Sequence, residues 1–224
     1  MKNILFIHQS AELYGSDKTL LLLLKYLDKT KYSPLVVLPF DGPLKKELEK
    51  EDIKVVIAPV LKLYRKMFTP KNLSKFFRDI RKSVSILDNL NEQYNFDLIY
   101  SNTLAVLLGM IYAKKRKIKH IWHVHEIIVH PKVIASSFPK LLNKYADIVI
   151  NAIYPEEEIF PKHYYGYNYF CLRDEFIMSK PISIKETVKT VLMTFGGVDP
   201  NNYTLKVLES IYDFCFRNYI NIKI

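Results

Sequence analysis

Short runs of Val, Ile, Leu and Phe alternate with longer amphipathic stretches through the first 150 residues, and this alternation restricts the fold more than any other feature. Residues 4–8, 34–39, 54–58, 97–101, 119–124 and 147–151 read as buried strands. Between them, 18–27, 43–50, 70 to about 93, 104–115 and a stretch within 138–145 carry helical spacing. Strands that are apolar on both faces and separated by helices belong to a parallel sheet covered on both sides. Residues 1–150 are therefore expected to form a doubly wound, Rossmann-like α/β domain. Its ligands would sit beyond the carboxyl ends of the strands.

The texture changes over 151–189. Pro155, Pro161 and Pro181, the acidic run Glu156, Glu157 and Glu158, and the aromatics Tyr164, Tyr165, Tyr167, Tyr169 and Phe170 break the periodicity, as in an interdomain linker. Strand signal returns at 190–195, helix signal at 201–216, and a new alternating run at 220–224. Residues 190–224 read as the start of an incomplete second Rossmann-like domain, marginal unless it packs on the first.

With 49% apolar and 25% charged residues in 224, the chain is a folded globular protein rather than a disordered one. Cys171 and Cys215 lack CxxC spacing, which argues against a zinc site or a disulfide framework and suits a reducing cytoplasm. The opening apolar run stops at His8, Gln9 and Ser10, too soon for a signal peptide or a membrane span. Much of the formal charge of +10 comes from Lys62, Arg65, Lys66, Arg78, Arg81 and Lys82. Leu73, Phe76, Phe77, Ile80, Val84 and Leu87 recur among them at helical spacing. A solvated face, an anionic membrane surface and a nucleic-acid patch all fit such a helix, but no nucleic-acid motif accompanies it.

Three loop segments carry candidate chemistry. In the first, Phe195-Gly196-Gly197-Val198-Asp199-Pro200-Asn201, a glycine pair follows a strand and precedes a helix. Gly196 and Gly197 permit close backbone approach, and Asp199 and Pro200 suit the N-cap and N1 positions of the helix. Free N–H groups at that helix start would hold a diphosphate, although Asp199 competes for them. An ordinary capped turn also explains the pattern. In the second, Gly15 and Ser16 follow the first strand, where a doubly wound fold places its first ligand loop, with Ser16 or Asp17 as the cap. A plain loop fits this segment equally well. In the third, Trp122-His123-Val124-His125-Glu126 ends the fifth strand. His125 is expected to turn into the cleft while His123 packs, with Glu126 orienting His125 or accepting from it; structural histidines remain the alternative for both. The metalloprotease pattern is absent, because Val129 stands where its second histidine belongs. Ser101, Asn102 and Thr103 offer polar groups at the same rim or a helix cap.

Tyr14-Gly15-Ser16-Asp17-Lys18, Asp41-Gly42-Pro43-Leu44, Tyr100-Ser101-Asn102-Thr103-Leu104-Ala105 and Trp122-His123-Val124-His125-Glu126 together resemble the N-terminal domain of family 4 glycosyltransferases of the GT-B fold, over about 1–147. The resemblance implies an acceptor-side Rossmann-like domain, with Gly15 near the donor diphosphate and His125 near the transferred sugar. Residues 166–176 and 195–202 resemble the interdomain segment and the opening of the nucleotide-binding domain of the UDP-sugar hydrolases of pseudaminic acid biosynthesis, a GT-B-like family. On both resemblances the nucleotide-binding domain is expected to be truncated. The paired-glutamate signature of family 4 donor domains has no counterpart.

Three functions follow as expectations. The first is transfer of a sugar, for cell-surface polysaccharide, from a nucleotide-diphospho-sugar to a glycan or lipid-linked acceptor. It would proceed without a metal cofactor, in the cytoplasm or at the inner membrane face. Donor contacts would come from Gly15, Ser16, Gly196, Gly197 and Asn201, and catalysis from His125 and Glu126. The second is hydrolysis of a UDP-sugar, and the third a non-catalytic remnant or binding subunit with a partner chain completing the second domain. No nucleic-acid partner is expected.

Overall fold

The computed structural model describes residues 1–60, 70–104, 106–125, 132–151, 162–169, 171–180, 183, 186–195 and 199–224, with the backbone alone at 70–73, 132–135 and 167. It divides into two compact units, Met1–Ile177 and Met178–Ile224.

The first unit runs β1 (Lys2–His8), α1 (Gly15–Lys25), β2 (Tyr32–Leu38), α2 (Pro43–Lys50), β3 (Lys54–Ile57), α3 (Pro70–Tyr94), β4 (Leu98–Asn102), α4 (Leu107–Arg116), β5 (Lys119–Val124), α5 (Lys132–Tyr145), β6 (Ile148–Asn151), β7 (His163–Tyr165) and α6 (Asp174–Ile177). Its seven strands are ordered β3-β2-β1-β4-β5-β6-β7, and every neighbouring pair is parallel. The chain runs outward from β1 to β3 and then returns to β4, so the order reverses between β1 and β4. That reversal is the switch point at which doubly wound sheets open a crevice.

The continuous apolar runs have a two-sided cause. Leu5, Ile7, Leu35, Val37 and Ile99 pack with Leu87, Leu108 and Tyr112 from α3 and α4 on one face. Ile4, Phe6, Val36, Leu38 and Tyr100 pack with Leu20, Leu24, Leu44 and Leu48 from α1 and α2 on the other. Each fully buried side chain of this size contributes about 1.5–3 kcal/mol. Close helix–sheet approach adds two glycine requirements. A Cβ at Gly42, just before α2, would lie 2.5 Å from the Ala11 carbonyl, and one at Gly109 in α4 would collide with Ser101 Oγ.

Several boundaries differ from the sequence expectation. The stretch expected as a linker, 151–189, supplies β7 to the sheet edge and α6, and Tyr26 Oη donates to the Asp174 carboxylate at 2.5 and 2.6 Å. Three residues are too few to show a period, and such short strands are common at sheet edges. Helix α4 begins at Leu107, not 104: its N-cap Val106 has a non-helical ψ of 87°. Helix α5 begins at Lys132 and carries Pro139 in its interior. The basic stretch 62–66 and Ala105 lie outside the described residues.

The second unit contains β8 (Thr190–Leu192), α7 (Tyr203–Arg217) and β9 (Asn221–Lys223), with the strands paired in parallel. This βαβ unit is the repeating element of a Rossmann-like sheet. Leu205, Tyr212, Phe214 and Phe216 on α7 are exposed. Among the described residues, no helix of the structure is long and apolar enough to cross a membrane.

Candidate active site

Polar side chains gather where β1, β4 and β5 end, against the start of α1. His8 closes β1 and Asn102 closes β4, and the two are register partners across the switch point. Both are fully buried, and Asp17 of α1 is 2% exposed. His8 Nε2 donates to Asp17 Oδ1 at 2.6 Å, and Asp17 Oδ2 accepts the Tyr14 backbone N–H at 2.9 Å. Burial acts to raise the Asp17 pKa, but its bonds to His8, the Tyr14 backbone and Ser10 outweigh it, and the carboxyl is held below its ordinary value. Asp17 is thus an anion built into the first turn of α1, and it reaches back to Tyr14, the N-cap residue.

Asn102 joins this pair to the fifth strand. Its Nδ2 donates to the Ser16 carbonyl at 3.0 Å and lies 3.1 Å from His8 Nδ1, while its Oδ1 is 2.8 Å from His125 Nε2. His125 follows the last residue of β5 and is partly buried. Burial lowers its pKa to about 4, with His8 adding to the effect, so the ring is neutral near pH 7. The His123 ring lies 4.0 Å from it, centroid to centroid. His123 accepts the Tyr100 hydroxyl proton on Nδ1 at 2.6 Å and is pushed down to about 3 by burial and by His125. Burial raises the Tyr100 pKa, which keeps its hydroxyl a donor. The result is a pair of neutral imidazoles, His123 and His125, joined through Asn102 and His8 to a buried carboxylate.

The expected site residues fall into three groups. His125 lies at the rim, and His123 packs behind it with 3% exposure. Gly15 opens α1, and a Cβ there would meet nothing within 4 Å, so protein packing does not require glycine at this position. Ser16 contributes its carbonyl to Asn102 rather than a cap, and Asn102 caps no helix. Glu126, Gly196 and Gly197 lie outside the described residues. In the second unit Asn202 is the N-cap, not Asp199. The reason is that Asp199 reaches forward as an acceptor for the N–H groups of Tyr203 at 2.9 Å and Thr204 at 2.7 Å. The exposed Asn201 bonds Lys206 Nζ through its backbone carbonyl. Among the described residues, no group of three or more His, Cys, Asp or Glu could hold a metal ion.

Sequence reasoning offered Asp17 as a helix cap and Asn102 as a rim or cap residue, and did not single out His8 as a site residue. A signal existed: His8 and Asn102 are the polar residues that end two buried apolar strands beside the switch point, where ligand chemistry is expected.

No family model matches the chain. An uncharacterized protein of Methanocaldococcus jannaschii, MJ1062, is 45% identical over 83 residues, covering 31% of this chain and 17% of that protein. MurG from Acinetobacter baumannii superposes with a TM-score of 0.61 at 14% identity, over 99% of this chain and 59% of MurG. A glycosyltransferase from Rickettsia africae superposes at 0.59 and 15% identity, over 99% of this chain and 67% of that enzyme. The fold is of the GT-B type. The chain spans about a sixth of MJ1062 and roughly three fifths of MurG. Within the GT-B-type fold, the His8–Asp17–Asn102–His125 row occupies the carboxyl-end crevice of the first Rossmann-like sheet.

Proposed function

We propose that this chain serves cell-surface polysaccharide synthesis as a glycosyltransferase of the family 4 kind, passing a sugar from a nucleotide-diphospho-sugar to a glycan or lipid-linked acceptor. The observation that carries the reading is the buried row from Asp17 through His8 and Asn102 to His125 at the switch point of a GT-B-type fold. Such a row costs desolvation and returns little stability by itself, which is expected of groups retained for a ligand. The open space at Gly15, on the first turn of α1, suits a diphosphate, whose charges gain about 0.3–1 kcal/mol each from a helix N-terminus. Helix N–H groups and basic side chains then neutralise the diphosphate without a metal. On α3, the exposed Lys75, Phe77, Arg78, Arg81 and Lys82 suit peripheral contact with an anionic membrane at the cytoplasmic face.

Calorimetric titration with UDP and UDP-sugars tests the donor site. Gly15→Ala is expected to keep the wild-type melting temperature while weakening nucleotide binding; unchanged affinity removes Gly15 from the site. Bulky substitutions at Gly196 and Gly197 test the second loop in the same way. The neutral His125 imidazole supports one further reading, hydrolysis of a UDP-sugar with His125 as base toward water. Mass spectrometry separates the two: turnover that needs an added acceptor supports transfer, and free sugar without one supports hydrolysis. Nucleotide binding with neither product leaves a binding subunit. Failure to bind any nucleotide in a broad panel removes both enzyme readings.

A further inference from the structure

Helix α6 is too small to hold itself. It is four residues long and buries none of its side chains, and one isolated turn is not stable on its own hydrogen bonds. The N–H groups of Phe176 and Ile177 make two such bonds, both to the Arg173 carbonyl, at 2.9 and 3.3 Å. Leu172, Phe176 and Ile177 are each more than half exposed, so apolar burial adds little. The Tyr26 side chain, 148 positions earlier, reaches this turn from the end of α1. Its single hydroxyl hydrogen is shared between Asp174 Oδ1 and Oδ2 at 2.5 and 2.6 Å, lengths typical of a charge-assisted bond. Tyr26 is itself fixed to α1, because its backbone N–H donates to the Leu22 carbonyl. The bond to Asp174 is the foremost of the effects that raise the Tyr26 pKa, and it keeps the hydroxyl a donor.

The place of this bond gives it a consequence. The first compact unit ends at Ile177, the last residue of α6, and the second begins at Met178. We infer that Tyr26 and Asp174 form a releasable clasp that fixes the point where the chain leaves the first unit. Closed, the clasp holds α6 to the end of α1, and the connection to the second unit starts at Met178. Open, it frees residues 172–177, up to about 20 Å of extended chain. Cys171 bounds the release on the other side, since its thiol is partly buried and burial raises its pKa.

Amide hydrogen exchange read by NMR on the full chain tests the clasp. Tyr26→Phe keeps the ring and removes the shared hydrogen. It is expected to speed exchange at Phe176 and Ile177 by about 3- to 10-fold, the range of one hydrogen bond, and to leave α1 and the sheet unchanged. Tryptic cleavage after the exposed Arg173 should quicken by a similar factor. Asp174→Ala should act in the same direction, and in the double variant the two effects should not add, because either change alone opens the clasp. Unchanged exchange at Phe176 and Ile177 in Tyr26→Phe overturns the inference, and so does strict additivity. Faster exchange that spreads through α1 and the sheet also overturns it, because Tyr26 would then support the whole first unit and not the exit of its chain.

Discussion

Gly109→Ala sets two physical effects against each other, and their magnitudes decide the outcome. Gly109 stands in the first turn of α4, where alanine is favoured over glycine by up to about 1 kcal/mol on helix propensity alone. The added Cβ, however, would collide with Ser101 Oγ and lie 3.3 Å from His120 Nε2. Ser101 Oγ is 2.8 Å from that same nitrogen, and both residues are at most 1% exposed. His120 Nδ1 faces the Tyr145 carbonyl at 3.3 Å, which makes Nδ1 the protonated nitrogen and Ser101 the donor to Nε2. Turning the serine hydroxyl aside relieves the collision but leaves a buried imidazole nitrogen without its donor, at a cost of about 1–3 kcal/mol. Any remaining overpacking adds to that. The net expectation is a loss of about 1–3 kcal/mol, read as a lower urea midpoint at unchanged m-value. Adding Ser101→Ala removes the oxygen that the new methyl strikes, so the double variant should lose less than the sum of the single changes. A Gly109→Ala protein as stable as wild type, or strict additivity in the cycle, would refute the close-approach account of this glycine.

Thr103→Gly should stabilise the first unit by about 1 kcal/mol or more in the same urea assay. It relieves a β-branched residue at a φ of 90°, worth about 1–3 kcal/mol, and removes a buried hydroxyl without a partner among the described residues, worth about 1–3 kcal/mol. Against these stand about 0.8 kcal/mol for a lost methyl and about 0.5–1 kcal/mol of glycine entropy; a clear destabilisation would show that the threonine side chain is used in packing. The buried histidines set an acid limit. His120 is lowered to about 4, His123 to about 3 and His125 to about 4, each first by burial, from an ordinary 6.5. Depressed folded values mean that the unfolded chain takes up protons first. Their stabilisation is complete above about pH 6.5 and declines as the pH falls toward 4, at roughly 1.4 kcal/mol per pH unit for each proton. Urea midpoints at pH 7.5 and pH 5 check this, and equal midpoints would mean that the three rings are solvated.

The fold was legible because burial on both faces leaves a direct trace. Residues 4–7 and 35–38 are apolar without interruption since each strand is covered by α1 and α2 on one side and by α3 and α4 on the other. Caps and short elements leave weaker traces. Strand β7 is three aromatic and polar residues that earn a place in the sheet by pairing with β6, and nothing in His163-Tyr164-Tyr165 announces that partner. Helical spacing is expected only within 138–145, but α5 begins at Lys132 and holds Pro139 in its interior. The rim was legible as a place, since strand ends in such a sheet are where ligands bind and His125 ends one of them. The row was not. His8 and Asn102 are 94 positions apart, and only the reversal of strand order between β1 and β4 makes them neighbours.

The two helix starts that looked alike in sequence differ in how their donors are used. At α7 the carboxylate of Asp199 accepts from Tyr203 and Thr204, and its pKa is lowered by those bonds, that to Thr204 foremost. Those two bonds occupy N–H groups at the helix start that a phosphate charge would otherwise use. A diphosphate therefore gains nothing from these two N–H groups unless Asp199 first lets go of them. At α1 the acidic residue lies inside the first turn and faces the other way. Asp17 takes the Tyr14 N–H and turns its second oxygen to His8, and no described side chain accepts from the N–H groups of Gly15 or Ser16. A carboxylate spent on His8 is not spent on those donors. The hydrogen bond between His8 and Asp17 that anchors the histidine row thus also leaves the start of α1 open to an anion, which ties the diphosphate end of the proposed site to its sugar end through one residue.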